Sequence, residues 1–543
     1  MSVQPGLINA PGRALKDVLD GLSAVPCNDV AWRSVTASGA SLDSRLLLHG
    51  ELYLALAGRR SHGLQHVQQA LVAGACAVLA EPGAFAAHPE AAERLRVGDV
   101  PAIEIDGLRE ALSVVGDRCF GSPDAQLRLV AVTGTDGKTS VCRFVAEAFA
   151  ALDVPAGYIG TLGWGLAGER AAALDATALT TPDALVLRRM LRNLVDAGAK
   201  TVALEASSHG LAEGRLHGLS IDTAVLTNLG RDHLDYHGSE SAYAAAKAAL
   251  FDWSTLSARI VNADDRLGQE LALRGVGALT TFSLDGDEAP GKLGEAAHRR
   301  LSASAVRMLP DGLSFELQER APDGRHRAAS VRSPLFGAFN VQNLLACVAV
   351  LRCADVTFDR AAGAAAGLLP VAGRMQRVGG DSEGAAPTVI VDFAHTPGAL
   401  GAAIQAARAH CPGRLCVVFG CGGDRDAGKR APMARAAAAA DRIIVTDDNP
   451  RTEDSDAIIA MILAGFTDRA VVQAVPDRRT AIAQALREAA SDDVVLIAGK
   501  GHEDYQIVGE QRLPFNDAAV AAELLGAGAA LPDACGASAG VGA

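Results

Sequence analysis

The sequence has 543 residues, and at about 150 residues per domain it predicts three or four domains rather than one core. A formal charge of −13 argues against a general nucleic-acid partner or an anionic-membrane partner, because both need a basic field. An anionic substrate would therefore have to bind to a local group of cationic side chains. No apolar run of about 18 residues occurs, and Met1–Asp20 lacks an apolar signal segment, so we expect a cytoplasmic protein without membrane insertion.

Residues 1–122 are predicted to form a small α/β domain. Short apolar runs such as Glu51 to Ala57 and Ala75 to Ala80 alternate there with stretches of helical spacing. The sequence Gly121-Ser122-Pro123 is typical of a linker. A second predicted domain therefore begins at residue 123 and extends to residue 370.

The most informative motif of the second domain is the heptapeptide Gly134 to Ser140, which reads Gly-Thr-Asp-Gly-Lys-Thr-Ser. It follows the apolar run Leu129 to Val132 and precedes helical spacing from Val141 to Leu152. In this context backbone N–H groups, a lysine and a hydroxyl can hold nucleotide phosphates and Mg²⁺. The longer nucleotide-loop pattern has a glycine where Val132 stands, so the alternative is a Gly-rich turn without function. The flanking strand and helix favour a phosphate loop.

Two polar clusters follow predicted strands of the same domain. Glu205 to Gly210 comes after the strand Thr201 to Leu204, and Thr227 to Gly238 comes after the strand Ala224 to Thr227. Strand ends are where open α/β sheets bind ligands, and these clusters contain carboxylate and imidazole groups that suit cations. The alternative is that the histidines merely cap loops. Three histidines beside a nucleotide loop favour function.

The rest of the sequence predicts one further domain, together with two segments in which the periodicity of apolar residues is weak. Leu284 to Arg332 is charged and glycine-rich, with alternation at Leu313 to Leu317, and indicates an irregular β excursion. Residues 371–526 predict a second doubly wound sheet. Its strands are expected at Thr388 to Val391, Leu415 to Phe419, Arg442 to Thr446 and Val494 to Ala498. The small-residue tail 527–543 is predicted to be disordered.

The ten cysteines include no pair at the CxxC spacing of zinc and redox sites. Cys411, Cys416 and Cys421 are spaced by five residues and lie beside or within a predicted strand. We therefore favour buried free thiols of a reducing compartment over zinc ligands or disulfides.

A set of ordered motifs resembles the Mur ligases, which are ATP-dependent, amide-forming enzymes of peptidoglycan precursor synthesis. In the second domain it comprises Gly134 to Ser140, Glu205 to Gly210, Thr227 to Gly238 and Tyr243 to Lys247. In the third domain it comprises Asp392 to Pro397, Gly420 to Asp426, Asp448 to Arg451 and Gly499 to Glu503. The resemblance extends over nearly the whole chain except the tail and Leu284 to Arg332.

The resemblance implies a three-domain α/β enzyme. The central domain would be a doubly wound, P-loop ATPase-like sheet, the C-terminal domain a Rossmann-like sheet, and the small N-terminal domain α/β. The third-domain motifs resemble those of family members that join meso-diaminopimelate to UDP-MurNAc-L-Ala-D-Glu. ATP would convert the D-Glu carboxylate into an acyl phosphate, which the amine attacks. The UDP end would bind the N-terminal domain, and the C-terminal domain would close onto the central one to exclude water.

The resemblance also implies which residues bind ATP and Mg²⁺. Lys138 would neutralise the γ-phosphate, Thr139 and Glu205 would hold one Mg²⁺, and His233 would hold a second. The implied ATP-binding residues are Gly134, Thr135, Asp136, Gly137, Lys138, Thr139, Ser140 and Asn343. As an alternative, Asn343 could simply cap the following helix.

Lys247 is the unusual member of this set, because an ammonium would be repelled by Mg²⁺. In the family the matching lysine is carbamylated, which turns a cation into an oxygen ligand. The resemblance therefore implies a carbamate on Lys247 as a metal ligand and catalytic group. The alternative is an exposed lysine on an amphipathic helix after Tyr243.

The third domain is implied to select the amine. Meso-diaminopimelate differs from lysine by a second carboxylate, which a guanidinium fork matches in two parallel hydrogen bonds. Lysine-adding relatives lack the arginine of this turn, so Arg451 is the predicted specificity residue, and Glu503 could take the distal ammonium. The implied diaminopimelate-binding residues are Arg425, Asp448, Asn449, Pro450, Arg451, Gly499 and Glu503. An Asn-Pro turn with a solvated arginine is the alternative.

The implied contacts of the UDP substrate are spread over two domains, at Leu42, Ser44, Thr180, Thr181, Ser207, Glu213 and Arg215. The sequence departs from the family at three places. Glu213 stands where many relatives have glutamine, and a carboxylate would repel a diphosphate. Arg59-Arg60-Ser61 differs from relatives with His-Gln-Ala, and Gln376 replaces a usual glutamate.

Three other classes compete with this interpretation. A related amide ligase, such as a lysine-adding Mur ligase or a folylpolyglutamate synthetase, would share the phosphate loop and Lys247 but not the Asp448 to Arg451 turn or the Ser41 to Arg45 segment. A nucleotide-regulated switch protein would hydrolyse ATP independently of any amino acid. An inactive scaffold is disfavoured, because every charged group that the chemistry needs is present. We expect a monomer that binds no nucleic acid.

Overall fold

The computed structural model describes residues 10–58, 61–168, 179–274, 277–284, 298–379 and 386–527. By contact density the chain divides into two compact units. The first comprises residues 1–304, 317–329 and 342–365, and the second comprises residues 305–316, 330–341 and 366–543. The boundaries 1–122, 123–370, 371–526 and 527–543 stay predictions. Within the described ranges, no helix is both long enough and apolar enough to cross a lipid bilayer.

The N-terminal part of the first unit is built on a five-stranded sheet with helices around it. The strand order is Ala24–Pro26, Ala102–Ile105, Ala77–Ala80, Leu52–Ala55 and Ala40–Ser41. All neighbours are parallel except the first pair. A two-stranded ribbon joins Arg13–Ala14 to Thr36–Ala37. The helices are Leu15–Val18, Val67–Ala73, Ala84–Ala87, Pro89–Val97 and Leu112–Phe120, with 3₁₀ turns Gly63–His66 and Pro123–Gln126.

The central sheet has ten strands, and its middle is parallel. The order is Gly163–Leu166, Ala156–Gly160, Thr201–Glu205, Arg128–Thr133, Thr223–Leu226, Ala258–Asn262, Ala278–Ser283, Arg299–Leu309, Gly312–Arg320 and His326–Ser333. The helices are Lys138–Ala151, Ala184–Asp196, Ser208–Ala212, Leu234–His237, Glu240–Ala248, Arg266–Ala272, Phe339–Cys353 and Phe358–Ala366, with the 3₁₀ turn Ala249–Asp252.

The position of the strand Arg128–Thr133 locates the site. Its neighbours, Thr201–Glu205 and Thr223–Leu226, both follow it in the chain and lie on opposite sides of it. A strand order that reverses in this way opens a crevice at the carboxyl ends of the strands, where α/β sheets bind ligands. The heptapeptide Gly134 to Ser140 lies at that point.

The second unit contains a six-stranded sheet in the order Gln376–Val378, Thr388–Asp392, Val494–Ala498, Leu415–Phe419, Arg442–Val445 and Val472–Ala474. Only its first pair is antiparallel. A hairpin, Tyr505–Val508 with Gln511–Pro514, follows the sheet. The helices are Pro397–Ala409, Arg430–Ala437, Ser455–Leu463, Arg478–Glu488 and Asp517–Ala527, with the 3₁₀ turn Ala427–Lys429. Buried apolar clusters cover both faces of the sheet, which explains its continuous apolar strands.

The predicted α/β class is confirmed, and the strands predicted before each polar cluster are present within two residues of the expected ends. Leu284 to Arg332 is the main difference, because its described part forms three long strands instead of an irregular excursion. Five of the nine described cysteines are buried, whereas Cys27 is exposed. The prediction that the cysteines are buried thiols therefore holds for these five and not for Cys27. The tail lies outside the described residues, except that its first residue, Ala527, ends the last helix.

Candidate active site

The heptapeptide forms a tight loop between the strand Arg128–Thr133 and the helix Lys138–Ala151. Gly134 and Gly137 have φ values of 147° and 83°, which side chains rarely adopt. A Cβ on Gly134 would lie 1.9 Å from Thr227 Oγ1, and one on Gly137 would lie 2.6 Å from Asn343 Oδ1. Both glycines are therefore required by conformation and by space.

The segment after the strand Thr223–Leu226 supports this loop. The N–H groups of Thr135 and Asp136 donate to Asn228, to its carbonyl at 2.9 Å and its side-chain oxygen at 3.0 Å. Thr227 Oγ1 donates to the Asp136 carbonyl at 2.6 Å. Asn228 occupies these two N–H groups, so bound phosphates would face the first turn of the helix Lys138–Ala151, which includes Ser140.

Thr139 and Glu205 meet beneath the loop. Thr139 Oγ1 donates to Glu205 Oε2 at 3.0 Å, and Glu205 is fully buried. The carboxylate also accepts from the Tyr158 hydroxyl at 2.6 Å, and from the Thr161 N–H at 2.9 Å and hydroxyl at 3.1 Å. A buried carboxylate surrounded by hydroxyls is a set of oxygen ligands that fits Mg²⁺, because hydroxyl protons can turn away from a cation.

Lys138 and Lys247 converge on one backbone atom. Their Nζ atoms lie 2.9 Å and 2.7 Å from the Gly134 carbonyl oxygen. Lys247 is 1% exposed, which excludes the exposed-lysine alternative, and its Nζ lies 4.3 Å from the centre of the Tyr243 ring. Burial, with a smaller contribution from the Lys138 ammonium, lowers the pKa of Lys247 to about 6. The Lys247 amine is therefore neutral near pH 7.

The predicted histidines are gathered beside this loop. The ring centres of His209 and His233 are 4.7 Å apart, and that of His237 lies 5.5 Å from His209. His233 has a left-handed backbone, with φ of 52°, and its ring centre is 6.2 Å from that of Tyr243. The Tyr243 hydroxyl in turn contacts Thr135 Oγ1 at 3.1 Å. The three rings pack on one another, so they are more than separate loop caps.

Asn343 lies within the helix Phe339–Cys353, so the alternative that it caps this helix is wrong. Its side-chain oxygen borders Gly137, and the residue is buried. In the same helix Gln342 donates to Asp264 at 3.0 Å. The structure thus brings Asn343 to the phosphate loop, and its contact with adenine stays a prediction.

Five of the predicted UDP-substrate residues belong to one network of contacts that includes Glu205. Thr181 Oγ1 donates to the Glu205 carbonyl at 2.7 Å and lies 3.0 Å from Ser207 Oγ, while Thr180 Oγ1 lies 3.0 Å from Thr161 Oγ1. Arg215 donates to the Thr181 carbonyl at 2.6 Å. Its guanidinium also pairs with Glu213 at 2.5 Å, which compensates the carboxylate that departs from the family pattern.

Leu42 and Ser44 lie in a loop that joins two strands of the N-terminal sheet. Ser44 is buried and donates to Gln69 at 2.9 Å, and Leu42 packs at the edge of the apolar cluster on one sheet face. Arg59 and Arg60, the departure noted beside this loop, lie outside the described residues. The other departure, Gln376, accepts from the Gly373 N–H at 2.8 Å.

The predicted diaminopimelate residues form a cluster in the second unit, organised by Lys500. Lys500 is fully buried, and its Nζ lies 2.9 Å from Glu503 Oε2, 3.1 Å from Asn449 Oδ1 and 3.9 Å from Asp448 Oδ1. Asn449 also donates to Glu503 at 3.0 Å. A Cβ on Gly499 would lie 2.7 Å from Asp448 Oδ2, so glycine is needed for this close approach.

Arg451 follows the buried Pro450 with a strained backbone, because its φ is 55°. Its N–H donates to Ile507, and its carbonyl accepts from Gly509, so the hairpin fixes the turn. Its guanidinium donates to the Gly423 carbonyl at 2.7 Å. Gly422 lies beside the side chains of both Arg451 and the exposed Arg425. The Arg451 guanidinium also contacts the Asn449 carbonyl at 3.5 Å, and the Asn449 amide in turn donates to Glu503.

Sequence reasoning missed three residues of these clusters. Tyr158 and Thr161 both contact Glu205, and Lys500 organises the second cluster. The signal for Tyr158 was weak, since it is a lone tyrosine in an apolar run. Lys500 lies within the motif Gly499 to Glu503, and the glycines on either side of it are the feature that could have identified it. Within the described residues, no three His, Cys, Asp or Glu side chains form a metal site by themselves.

Residues 132–351 match the Mur ligase middle domain, and residues 373–501 match the domain described as Mur ligase, glutamate ligase domain. The first match includes residues 284–332, so the expectation that the resemblance excludes them was wrong. The chain belongs to the Mur ligase family of ATP-dependent, amide-forming ligases.

The most similar relatives have one name in common. The UDP-N-acetylmuramoyl-L-alanyl-D-glutamate–2,6-diaminopimelate ligase of Xanthomonas campestris pv. campestris (strain 8004) is 45% identical over 501 residues, covering 92% of this chain and 96% of the relative. The ligase of that name from Pseudomonas aeruginosa is 45% identical over 489 residues, covering 90% and 94%. A solved structure of a ligase with this name has a TM-score of 0.66 at 32% identity, covering 96% of this chain and 100% of the other.

Proposed function

We propose that this protein joins meso-diaminopimelate to the D-Glu γ-carboxylate of UDP-MurNAc-L-Ala-D-Glu at the expense of ATP. The observation that carries the proposal is the turn at Asp448 to Arg451, where the Arg451 guanidinium contacts the Asn449 carbonyl and the Asn449 amide donates to the Glu503 carboxylate. An amino acid with an ammonium and a carboxylate at its far end matches that pair of charges. The two relatives named above are diaminopimelate ligases, which supports the same substrate.

The reaction has two steps. The γ-phosphoryl group passes from ATP to a carboxylate oxygen, and ADP leaves. The neutral amine then attacks the acyl carbon, the bond from that carbon to the phosphate oxygen breaks, and the nitrogen loses a proton. Negative charge builds around the phosphoryl group in the first step, and the Lys138 ammonium at the loop is suited to stabilise it.

Thr139 and Glu205 are proposed to hold one Mg²⁺, with His233 at a second. When bound, these ions would neutralise charge on the transferring phosphoryl group. The buried Thr139–Glu205 contact supports the first assignment, because its oxygen atoms suit a hard cation. Asn343, which borders Gly137, is proposed to contact the adenine ring.

Lys247 is proposed to carry a carbamate. A neutral amine adds to CO₂ and releases a proton, which converts a base into an anionic oxygen ligand. Burial keeps the pKa of Lys247 at about 6, so the reactive neutral form is available near pH 7. The carbamate would place an anionic group beside the Lys138 ammonium at Gly134, in place of the neutral amine.

The UDP-substrate is proposed to contact Leu42, Ser44, Thr180, Thr181, Ser207 and Arg215. Arg215 contributes a cation to this cluster, and its guanidinium binds both Glu213 and the Thr181 carbonyl. The enzyme is proposed to act in the cytoplasm, because ATP is supplied there.

One experiment tests the function directly. Phosphate release is measured with ATP, Mg²⁺ and UDP-MurNAc-L-Ala-D-Glu, together with meso-diaminopimelate, L-lysine or no amine, and the product is identified by mass. We expect fast release and a tripeptide product with meso-diaminopimelate alone. Faster release with L-lysine would assign a lysine-adding ligase instead, and equal release in all three would reject a ligase.

A further inference from the structure

The helix Ala184–Asp196 has two adjacent arginines, Arg188 and Arg189, that are both fully buried. A buried guanidinium is costly unless it is paired and hydrogen-bonded, so each must have a structural reason. Both are paired with a carboxylate, but they point to different parts of the first unit. Their other hydrogen bonds differ, and this difference indicates different roles for the two arginines.

Arg189 forms hydrogen bonds at both ends of the loop that contains Leu42 and Ser44. Its guanidinium donates to the Ala40 carbonyl at 3.1 Å and to the Leu46 carbonyl at 3.2 Å, which are the two residues that flank Ser41–Arg45. It also pairs with Glu51 at 2.6 Å, and Glu51 is fully buried. The same Glu51 oxygen accepts from the Leu48 N–H at 2.8 Å. The planar guanidinium group of Arg189 therefore fixes both ends of this loop.

The N-terminus of the same helix lies beside the other predicted substrate segment. Thr180 and Thr181 precede Asp183, whose side chain caps the helix by accepting from the N–H groups of Leu185 and Val186. Leu185 packs in the apolar cluster of the N-terminal sheet, whereas Val186 packs in that of the central sheet. The helix thus joins both sheets rigidly, with Thr181 at its start and Arg189 in its middle.

We propose that Arg189 is a positioning residue for the UDP-substrate, which holds the Ser41–Arg45 loop at a fixed distance from Thr180 and Thr181. The inference rests on the proposed function, because those residues are its predicted substrate contacts. Arg189 donates its hydrogen bonds to Ala40, Leu46 and Glu51, which are outside the predicted substrate set. Its loss should therefore weaken binding of the UDP-substrate and leave the chemical step and the other two substrates unaffected.

Arg188 provides a matched control on the same helix. It is equally buried and pairs with Asp117 at 2.5 Å. Its other contacts are the carbonyls of Ala184 at 3.2 Å and His217 at 2.8 Å, which lie outside the Ser41–Arg45 loop. Removal of this pair should cost comparable stability without displacing that loop.

The test compares the double variants Arg189→Met/Glu51→Gln and Arg188→Met/Asp117→Asn, in which both charges of a pair are removed together. For the first, we expect KM for UDP-MurNAc-L-Ala-D-Glu to rise about tenfold, with kcat and the KM values of ATP and meso-diaminopimelate within about threefold of wild type. For the second, all KM values should stay within about twofold. The single variant Arg189→Lys keeps the charge but not the fork, and should raise the same KM about threefold to tenfold.

An unchanged KM in folded Arg189 variants, or an equal rise in the Arg188 control, would overturn the inference. If the double variant does not fold, Arg189→Lys decides the question alone. Calorimetric binding of UDP separates this inference from the proposed function. A wild-type protein that makes no tripeptide but binds UDP about tenfold more tightly than the Arg189 variants would reject the function and keep the inference. Equal UDP binding by all variants would reject the inference.

Discussion

Lys138 and Lys247 place their amino groups on the same atom, the Gly134 carbonyl oxygen, at 2.9 Å and 2.7 Å. Two ammonium groups so close would repel each other, and Lys247 is the more buried of the two. Desolvation and this neighbour lower the pKa of Lys247 to about 6. The pair therefore comprises one cation suited to phosphate and one neutral amine suited to modification.

Replacing Lys247 by alanine should abolish most activity, because the proposed carbamate oxygen ligand is lost. We expect kcat to fall about 100-fold or more, as for removal of one group that stabilises transition-state charge. Added formate or acetate should restore part of the rate, since a small carboxylate can occupy the vacated volume. Lys138→Ala is the control: its rate should fall as far and should not respond to carboxylates. Full activity of unrescued Lys247→Ala would reject the role.

Tyr158 is predicted to tune the Mg²⁺ site through Glu205. Its hydroxyl donates to Oε1 of the buried carboxylate at 2.6 Å, which orients the group so that its other oxygen, Oε2, accepts from Thr139. Groups that orient a metal ligand in this way typically change metal affinity by about 10-fold to 100-fold. Tyr158→Phe should thus raise the Mg²⁺ concentration for half-maximal activity about tenfold. Tyr53→Phe, which also removes a buried tyrosine hydroxyl, is the control for Mg²⁺ dependence and should leave it unchanged, because the Tyr53 hydroxyl donates to the Gly63 carbonyl and not to Glu205.

Arg451 should decide between meso-diaminopimelate and lysine. Arg451→Gly removes the guanidinium and suits the left-handed backbone at φ of 55°, so the protein should be at least as stable. We expect KM for meso-diaminopimelate to rise about 100-fold, from loss of a bidentate ion pair. KM for the UDP-substrate should be unchanged. The exposed Arg469→Ala serves as control. A stable Arg451→Gly protein that still prefers meso-diaminopimelate would contradict the assignment.

The local parts of the fold and site could be predicted, because they depend on short patterns. The phosphate loop combines an apolar strand, two glycines and a helix within about 25 residues, and each feature acts through its own backbone. The strands predicted before Glu205 and Asp448 are likewise present. The long strands after Arg299 were harder, because their charges and glycines resemble those of a loop. Packing on neighbouring strands, which decides their structure, is absent from the local pattern.

Long-range partners could not be predicted in the same way. The Arg189–Glu51 pair joins residues 138 positions apart, and Tyr158 meets Glu205 across 47 positions. Nothing near either residue marks its partner, since contact depends on how helices and strands pack. The burial of Lys247 is a similar case, because its helix looks amphipathic in sequence while Tyr243 and the loop cover it.

His410 is predicted to make the second unit sensitive to acid. Its Nε2 accepts from the Gly337 N–H at 2.8 Å, and its Nδ1 donates to the Leu309 carbonyl at 2.7 Å, which requires the neutral ring. Burial lowers the pKa of His410 below its ordinary value of 6.5. Below pH 6.5 the unfolded chain therefore binds a proton that the folded protein excludes. The folded state loses up to about 1.4 kcal/mol per pH unit as pH falls through that window.

His410→Gln retains a donor and an acceptor without a group that titrates in this range. Its melting temperature should consequently fall less between pH 7.5 and pH 5 than that of wild type, with both proteins measured as full chains by thermal unfolding. The exposed His326→Gln should behave as wild type, because it removes a histidine that is not buried and leaves His410 in place. Equal acid sensitivity in wild type and His410→Gln would place the acid response in other groups, since the carboxylates are common to both proteins.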